Sequence, residues 1–175
     1  EQRVCKRLMT LSKPVIAAVN GYALGAGAEM AVACDFILMA ESAQWGLPEV
    51  GLGTFLGGGL TRVLPQLVGL GKARELIYFG ERIDGKEAVR IGLAQRCFAD
   101  EEFREKVSEF AERLAQKAPI SMALAKEHLF RGSERSLDDT LRSELEAMMF
   151  CTTTQDWQEG IDAFAEKRSP VYKGV

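Results

Sequence analysis

An α/β core that gives way to an all-helical region is the fold class this sequence predicts, and three features predict it. Val15 to Val19 is a short, β-prone apolar run closed by Asn20-Gly21, which marks a buried parallel strand. It leads through the turn Gly25-Ala26-Gly27 into an apolar helical stretch, Ala28 to about Cys34, and then a second strand, Asp35 to Met39. From Glu101 onward the pattern is helical only. Residues 1–100 therefore read as the core and 101–175 as a helical region.

The remaining elements follow in order. EQRVCKRLMTLSKP looks like the last turns of a helix already under way, with Val4, Leu8, Met9 and Leu11 near one face. The first residue is Glu1 rather than Met, so the expectation is a missing leading segment, with any targeting peptide unreadable. Gln44 to Gly53 is a broken extended segment that carries Pro48-Glu49. Thr54 to Gly59 is glycine-rich, and helices follow at about 60–67 and 72–78, separated by Gly69 and Gly71. Asp84-Gly85 opens a helix over 86–91 that Gly92 ends, and Leu93 to Phe98 returns as a strand. The closing helices are expected at about 102–117, 119–130, 137–152 and 155–167. Acids at Asp138-Asp139 and Asp156 suit helix starts.

Bulk properties exclude several function classes. A chain of 175 residues, 47% hydrophobic, can bury a real core; a domain of this size buries roughly 70% of the surface its unfolded chain exposes. The formal charge of −3 does not suggest a nucleic-acid or anionic-membrane partner. No apolar run approaches the roughly 20 residues needed to span a bilayer, and Asp35 interrupts the most apolar region. Cys5, Cys34, Cys97 and Cys151 are far apart, and the one histidine, His128, cannot complete a usual zinc set. They read as reduced thiols in an intracellular protein, with Cys34 as core packing, and no metal is expected.

The chemistry centres on Ala26, Glu29 and Glu49. A strand that turns through glycines into a helix leaves N–H groups unpaired at the helix start. Those donors and the helix dipole stabilise negative charge placed before them. Glu29 lies three residues past Ala26, almost one turn further along the same face. A carbonyl bound at the Ala26 N–H would then lie within reach of Glu29. The other reading is that Glu29 only complements the dipole from the first turn. Glu49 follows Leu47-Pro48, where proline holds the preceding backbone extended; by itself a Pro-Glu pair is usually an exposed turn. Gly57-Gly58-Gly59 lacks the Lys-Ser/Thr ending of a phosphate loop, and Gly51, Gly53 and Gly57 miss the dinucleotide spacing by one residue. A flexible wall beside a substrate, or close helix packing, is the reading of these glycines. Trp45, Leu47, Phe55 and Leu56 are the residues available to shape an apolar pocket. His128 has no acid or nucleophile near it in sequence and reads as packing or surface. Leu137, Leu141, Leu145 and Met148 form a stripe at helical spacing, either core or subunit contact.

The runs KPVIAAVNGYALGAGAEMAVACDF and AQWGLPEVGLG, the glycines at 57–59, DGKEAVRIGL and the closing FAEKRSPVYKG together resemble the enoyl-CoA hydratase/isomerase (crotonase) family over essentially the whole chain. The resemblance implies the later turns of a crotonase-like ββα spiral core followed by a C-terminal helical oligomerisation region. It implies that Glu29 and Glu49 are the catalytic pair of a short-chain enoyl-CoA hydratase and that the Ala26 N–H is the second oxyanion-hole donor. The first donor belongs to a leading segment of the family that these residues do not contain. The implied substrate is an acyl-CoA thioester, with coenzyme A as part of the substrate and no separate cofactor. A homotrimer or hexamer is implied, in which Phe164 and Lys167 serve the adenine end of coenzyme A; the plainer reading makes Phe164 core and Lys167 solvated. The compartment implied is the cytoplasm or the mitochondrial matrix. The rival within the family is an enoyl-CoA isomerase, which commonly lacks an acid at the Glu29 position. A non-catalytic assembly module is a rival from another class. RNA binding, a property of some members, finds no lysine-rich helix here.

Overall fold

The computed structural model describes residues 1–175, which fold into two compact units. The first comprises Glu1–Leu11 and Val15–Glu109, and the second Ser12–Pro14 and Phe110–Val175.

In the first unit, helix α1 (Gln2–Thr10) precedes strands β1 (Ile16–Val19) and β2 (Tyr22–Leu24), helix α2 (Ala26–Val32) and strand β3 (Phe36–Ala40). Strand β4 (Gln44–Gly46) and a single 3₁₀ turn, Val50–Leu52, lead to helix α3 (Leu60–Phe79). Strand β5 (Ile83–Asp84), helix α4 (Gly85–Arg90) and strand β6 (Arg96–Phe98) complete the core, and α5 (Phe103–Ala115) begins in this unit and ends in the next. Two three-stranded sheets result, ordered β1-β3-β6 and β2-β4-β5. The first is wholly parallel, with Ile16 opposite Phe36 and Leu38 opposite Arg96. Its central strand reads Phe-Ile-Leu-Met-Ala and is buried from Ile37 to Ala40, as the continuous apolar run of a central parallel strand requires. In the second sheet β2 and β4 are parallel and β5 is antiparallel to β4.

Two strands are absent from the sequence reading. β2 and β5 have three and two residues, too few for alternation to show, and both abut glycines that signal turns. Helix α2 starts at Ala26, two residues earlier than its apolar pattern suggests. The two helices expected around Gly69 are present: the run 60–79 is divided at Gly69, where φ is 77° and ψ 154°. α4 begins with its Asp84 side chain accepting from the Glu87 N–H at 2.8 Å.

The second unit contains α6 (Pro119–Gly132), α7 (Leu137–Cys151) and α8 (Gln155–Glu166). Contacts of Ser121 with Cys151 at 3.5 Å, and of His128 with the Ser143 carbonyl at 3.2 Å, show that α6 and α7 run antiparallel. Both His128 ring nitrogens face backbone carbonyls, so the ring is a packing element between these helices. Ser136 and Thr154 cap α7 and α8. The stripe Leu137, Leu141, Leu145 and Met148 is exposed, so it is not core of this chain. Cys34 is only half-buried, its thiol donating to the Met30 carbonyl; Cys5 is the fully buried cysteine.

Candidate active site

The site assembles around the start of α2. Gly25, the residue before the helix, has φ 56° and ψ −124°, a conformation that disfavours side chains. A second constraint acts at the same place: a Cβ on Gly25 would lie 3.0 Å from Glu49 Oε1. Glycine thus lets the chain turn and lets the Glu49 carboxyl approach the helix start. The Ala26 N–H opens the helix and, like its first-turn neighbours, has no acceptor within it. Ala26 is exposed, so the donor side of the turn is open.

Glu29 sits in the first turn of α2 and is 1% exposed. Burying an ionised carboxylate is costly unless it is hydrogen-bonded. Here the Gly57 N–H donates to both carboxylate oxygens at 3.1 Å, and the Gly58 N–H donates to Oε2 at 2.5 Å. Glu29 is therefore held by a loop 28 residues away rather than spent on its own helix dipole. Gly58 fits tightly against it: a Cβ there would meet Glu29 Oε2 at 2.8 Å and Cys5 Sγ at 2.9 Å. The glycine run thus holds the Glu29 carboxyl and lets Cys5 of α1 approach closely. The free N–H groups ahead of α3 were a usable signal, of the same kind as those ahead of α2.

Glu49 follows Pro48 and precedes the 3₁₀ turn; it is 8% exposed. Its backbone carbonyl accepts from Leu52 and Thr54 at 3.0 Å, which fixes the turn. Its Oε2 is buried without a hydrogen-bond partner. An unsatisfied buried polar atom costs about 1–3 kcal/mol, so its presence here calls for a functional reason.

Two residues absent from the sequence reading of the site also border it. Cys5 of α1 packs beside Glu29, and burial pushes its thiol up, with the Glu1 and Glu29 charges adding to the shift. The Glu1 carboxyl is pushed above the usual carboxylate range, first by its hydrogen bond to Glu29, then by desolvation and by repulsion from Glu29 and Glu49.

The proposed lining residues divide. Phe55 is exposed and Leu56 is half-buried against the core, beside Gly57. Trp45 and Leu47 are core residues at 0% and 1% exposure and offer no free surface to a substrate. That corrects their reading as pocket walls. Trp45 instead donates its indole N–H to the Ala28 carbonyl at 3.3 Å. Phe164 and Lys167 belong to the second unit, at the end of α8. Phe164 is 88% exposed, which sets aside a core role, and Lys167 caps the helix with φ 56°. No group of three or more His, Cys, Asp or Glu residues could hold a metal ion. No helix is long and apolar enough to cross a membrane.

This geometry sets two buried carboxyls beside an open helix start, and the sequence pattern that encodes it is shared. The profile described as enoyl-CoA hydratase/isomerase matches residues 1–175. The chain belongs to the enoyl-CoA hydratase/isomerase family. Within it, the chain is 42% identical over 167 residues to the crotonyl-CoA hydratase of Syntrophomonas wolfei, covering 95% of this chain and 64% of that protein. It is also 42% identical over 166 residues to the short-chain-enoyl-CoA hydratase of Clostridium acetobutylicum, with the same coverage, 95% and 64%. The chain thus spans less than two thirds of the length of these family members. Its fold superposes on the crystal structure of the Bacillus anthracis enoyl-CoA hydratase with a TM-score of 0.95 at 43% identity, covering 99% of this chain and 67% of that one.

Proposed function

We propose that the full-length protein hydrates trans-2-enoyl-CoA thioesters to 3-hydroxyacyl-CoA. The observation that carries this is the unpaired, buried Oε2 of Glu49, set against the turn that presents the Ala26 N–H and Glu29. On this reading the thioester oxygen accepts from the Ala26 N–H, where enolate charge develops ahead of the helix dipole. Glu29 and Glu49 hold one water between them. Its oxygen bonds to C3 and Glu29 takes its proton, while Glu49 delivers a proton to C2. Proton return from Glu29 to Glu49 through solvent restores both acids. Coenzyme A is part of the substrate, and the chemistry needs no metal or redox group.

The names of the Syntrophomonas and Clostridium relatives support short acyl chains. Relatives named as mitochondrial, together with bacterial ones, support the matrix or the cytoplasm as the compartment. The exposed stripe on α7 supports a trimer or hexamer of the full-length protein, to be checked by light scattering. In that assembly Phe164 and Lys167 are proposed to contact the adenine ring and a phosphate of coenzyme A.

The test is loss of the conjugated-thioester absorbance when crotonyl-CoA is added. Turnover of a 3-enoyl-CoA by double-bond migration alone would replace hydration with isomerisation.

A further inference from the structure

We infer that Trp45 is a positioning residue for the proposed reaction: its indole sets the first turn of α2, and with it the Ala26 N–H and Glu29, relative to Glu49. The inference rests on the hydratase reading for its catalytic consequence and on the structure alone for its mechanical part.

Two adjacent residues of β4 hold the two ends of one short turn. The Gly46 carbonyl accepts from the Gly25 N–H at 3.1 Å, and the Trp45 indole donates to the Ala28 carbonyl at 3.3 Å. Gly25 precedes the Ala26 donor, and Ala28 precedes Glu29. The same strand continues through buried Leu47 and Pro48 into Glu49. Both acids are therefore referenced to one strand. That strand is itself fixed, with Trp45 opposite Ala23 on one side and Ile83 on the other. Gly46 backs onto Arg82 and Glu81, where a Cβ would find backbone at 3.4 Å. The indole is wholly enclosed, so its only polar atom is committed to the α2 carbonyl. Phenylalanine would keep most of the packing and lose the donor. Of the two hydrogen bonds from β4 to the helix start, only the Gly25 bond would then remain.

Trp45→Phe in the full-length protein tests this with kinetics and amide exchange together. The expected result is a fall in kcat of about tenfold on crotonyl-CoA with KM within about twofold, since displacements well under 1 Å suffice for losses of this order. Exchange of the α2 amides, Glu29 included, should quicken. Leu93→Val, a core substitution away from the acids, serves as the control and should leave kcat unchanged. Unchanged kcat in a folded Trp45→Phe variant overturns the inference, and so does an equal loss of kcat in the control. If the wild-type protein does not hydrate crotonyl-CoA, the functional reading fails, and α2 exchange in the variant decides the mechanical part by itself. If the variant does not fold, the wild-type indole N–H decides it: Trp45 should exchange as slowly as the α2 amides, and fast exchange overturns the inference.

Discussion

Glu29 and Glu49 are buried within the same small region, yet their surroundings differ in kind. Two backbone N–H groups of the Gly57–Gly58 loop converge on Glu29, and both its oxygens are satisfied. Glu49 leans on Gly25 through one oxygen and leaves the other without a partner. A carboxyl whose oxygens already face backbone donors is fixed in place. One with an unpartnered oxygen gains from meeting a new donor. The difference separates a carboxyl held by the fold from one with an oxygen left free to meet a donor, although the two share a residue type.

Replacing each acid by its amide is the largest test of that contrast. Both Glu29→Gln and Glu49→Gln should lower turnover by about 10²–10⁴, the usual worth of a positioned acid or base. Stability should tell them apart. Glu29→Gln places an NH₂ against two N–H donors and should cost about 1–3 kcal/mol. Glu49→Gln breaks no hydrogen bond to Oε2 and should leave the melting temperature near the wild-type value. Equal denaturation midpoints for the two variants would erase the distinction.

The next effect in size concerns the donor between them. Ala26 is the first residue of α2, where proline is well tolerated because the N–H has no helical acceptor. Ala26→Pro should therefore keep the fold by circular dichroism and lose roughly 10²–10³ in rate, while Ala26→Gly stays near wild type. Equal activity of the two folded variants would remove the N–H from the reaction.

The smallest effect is a reference from the second unit. Glu159 is a half-buried acid that accepts from Arg168 and from the Val171 N–H, and these hold its carboxyl down to about 2. Because the folded value is depressed, its contribution is complete above the unfolded value near 4.5. It is lost as pH falls through about 2. Exchange of the Val171 amide should quicken over that window with little change in global stability. Protection that persists below pH 2 would show that the tail does not depend on this ion pair.

Much of this was legible beforehand, and the parts that were not share a cause. The closing helices showed because first-turn acids and apolar periodicity are local: Asp138, Asp139 and Asp156 mark helix starts. The pairing of Ala26 with Glu29 was also local, one helical turn. The Gly57–Gly58 clamp on Glu29 and the Trp45 bond to Ala28 join residues 28 and 17 apart, and no spacing rule announces them. Trp45 looked like a pocket wall because an aromatic residue near a catalytic acid has surface to offer. Burial of the ring removed that surface and left its N–H as the useful part.

The bare oxygen of Glu49 also bears on how the protein can be assayed without turnover. A ligand that brings a hydrogen-bond donor to that oxygen removes a penalty carried by the unliganded fold. It binds the native chain and not the unfolded one, so it raises the melting temperature by mass action, RT ln(1 + [L]/Kd). A 2,2-dimethyl-3-hydroxyacyl-CoA, which has no C2 hydrogen to lose, has such a donor, and its counterpart without the hydroxyl does not. The two thermograms, side by side, read the state of a single carboxylate oxygen with no chemistry taking place.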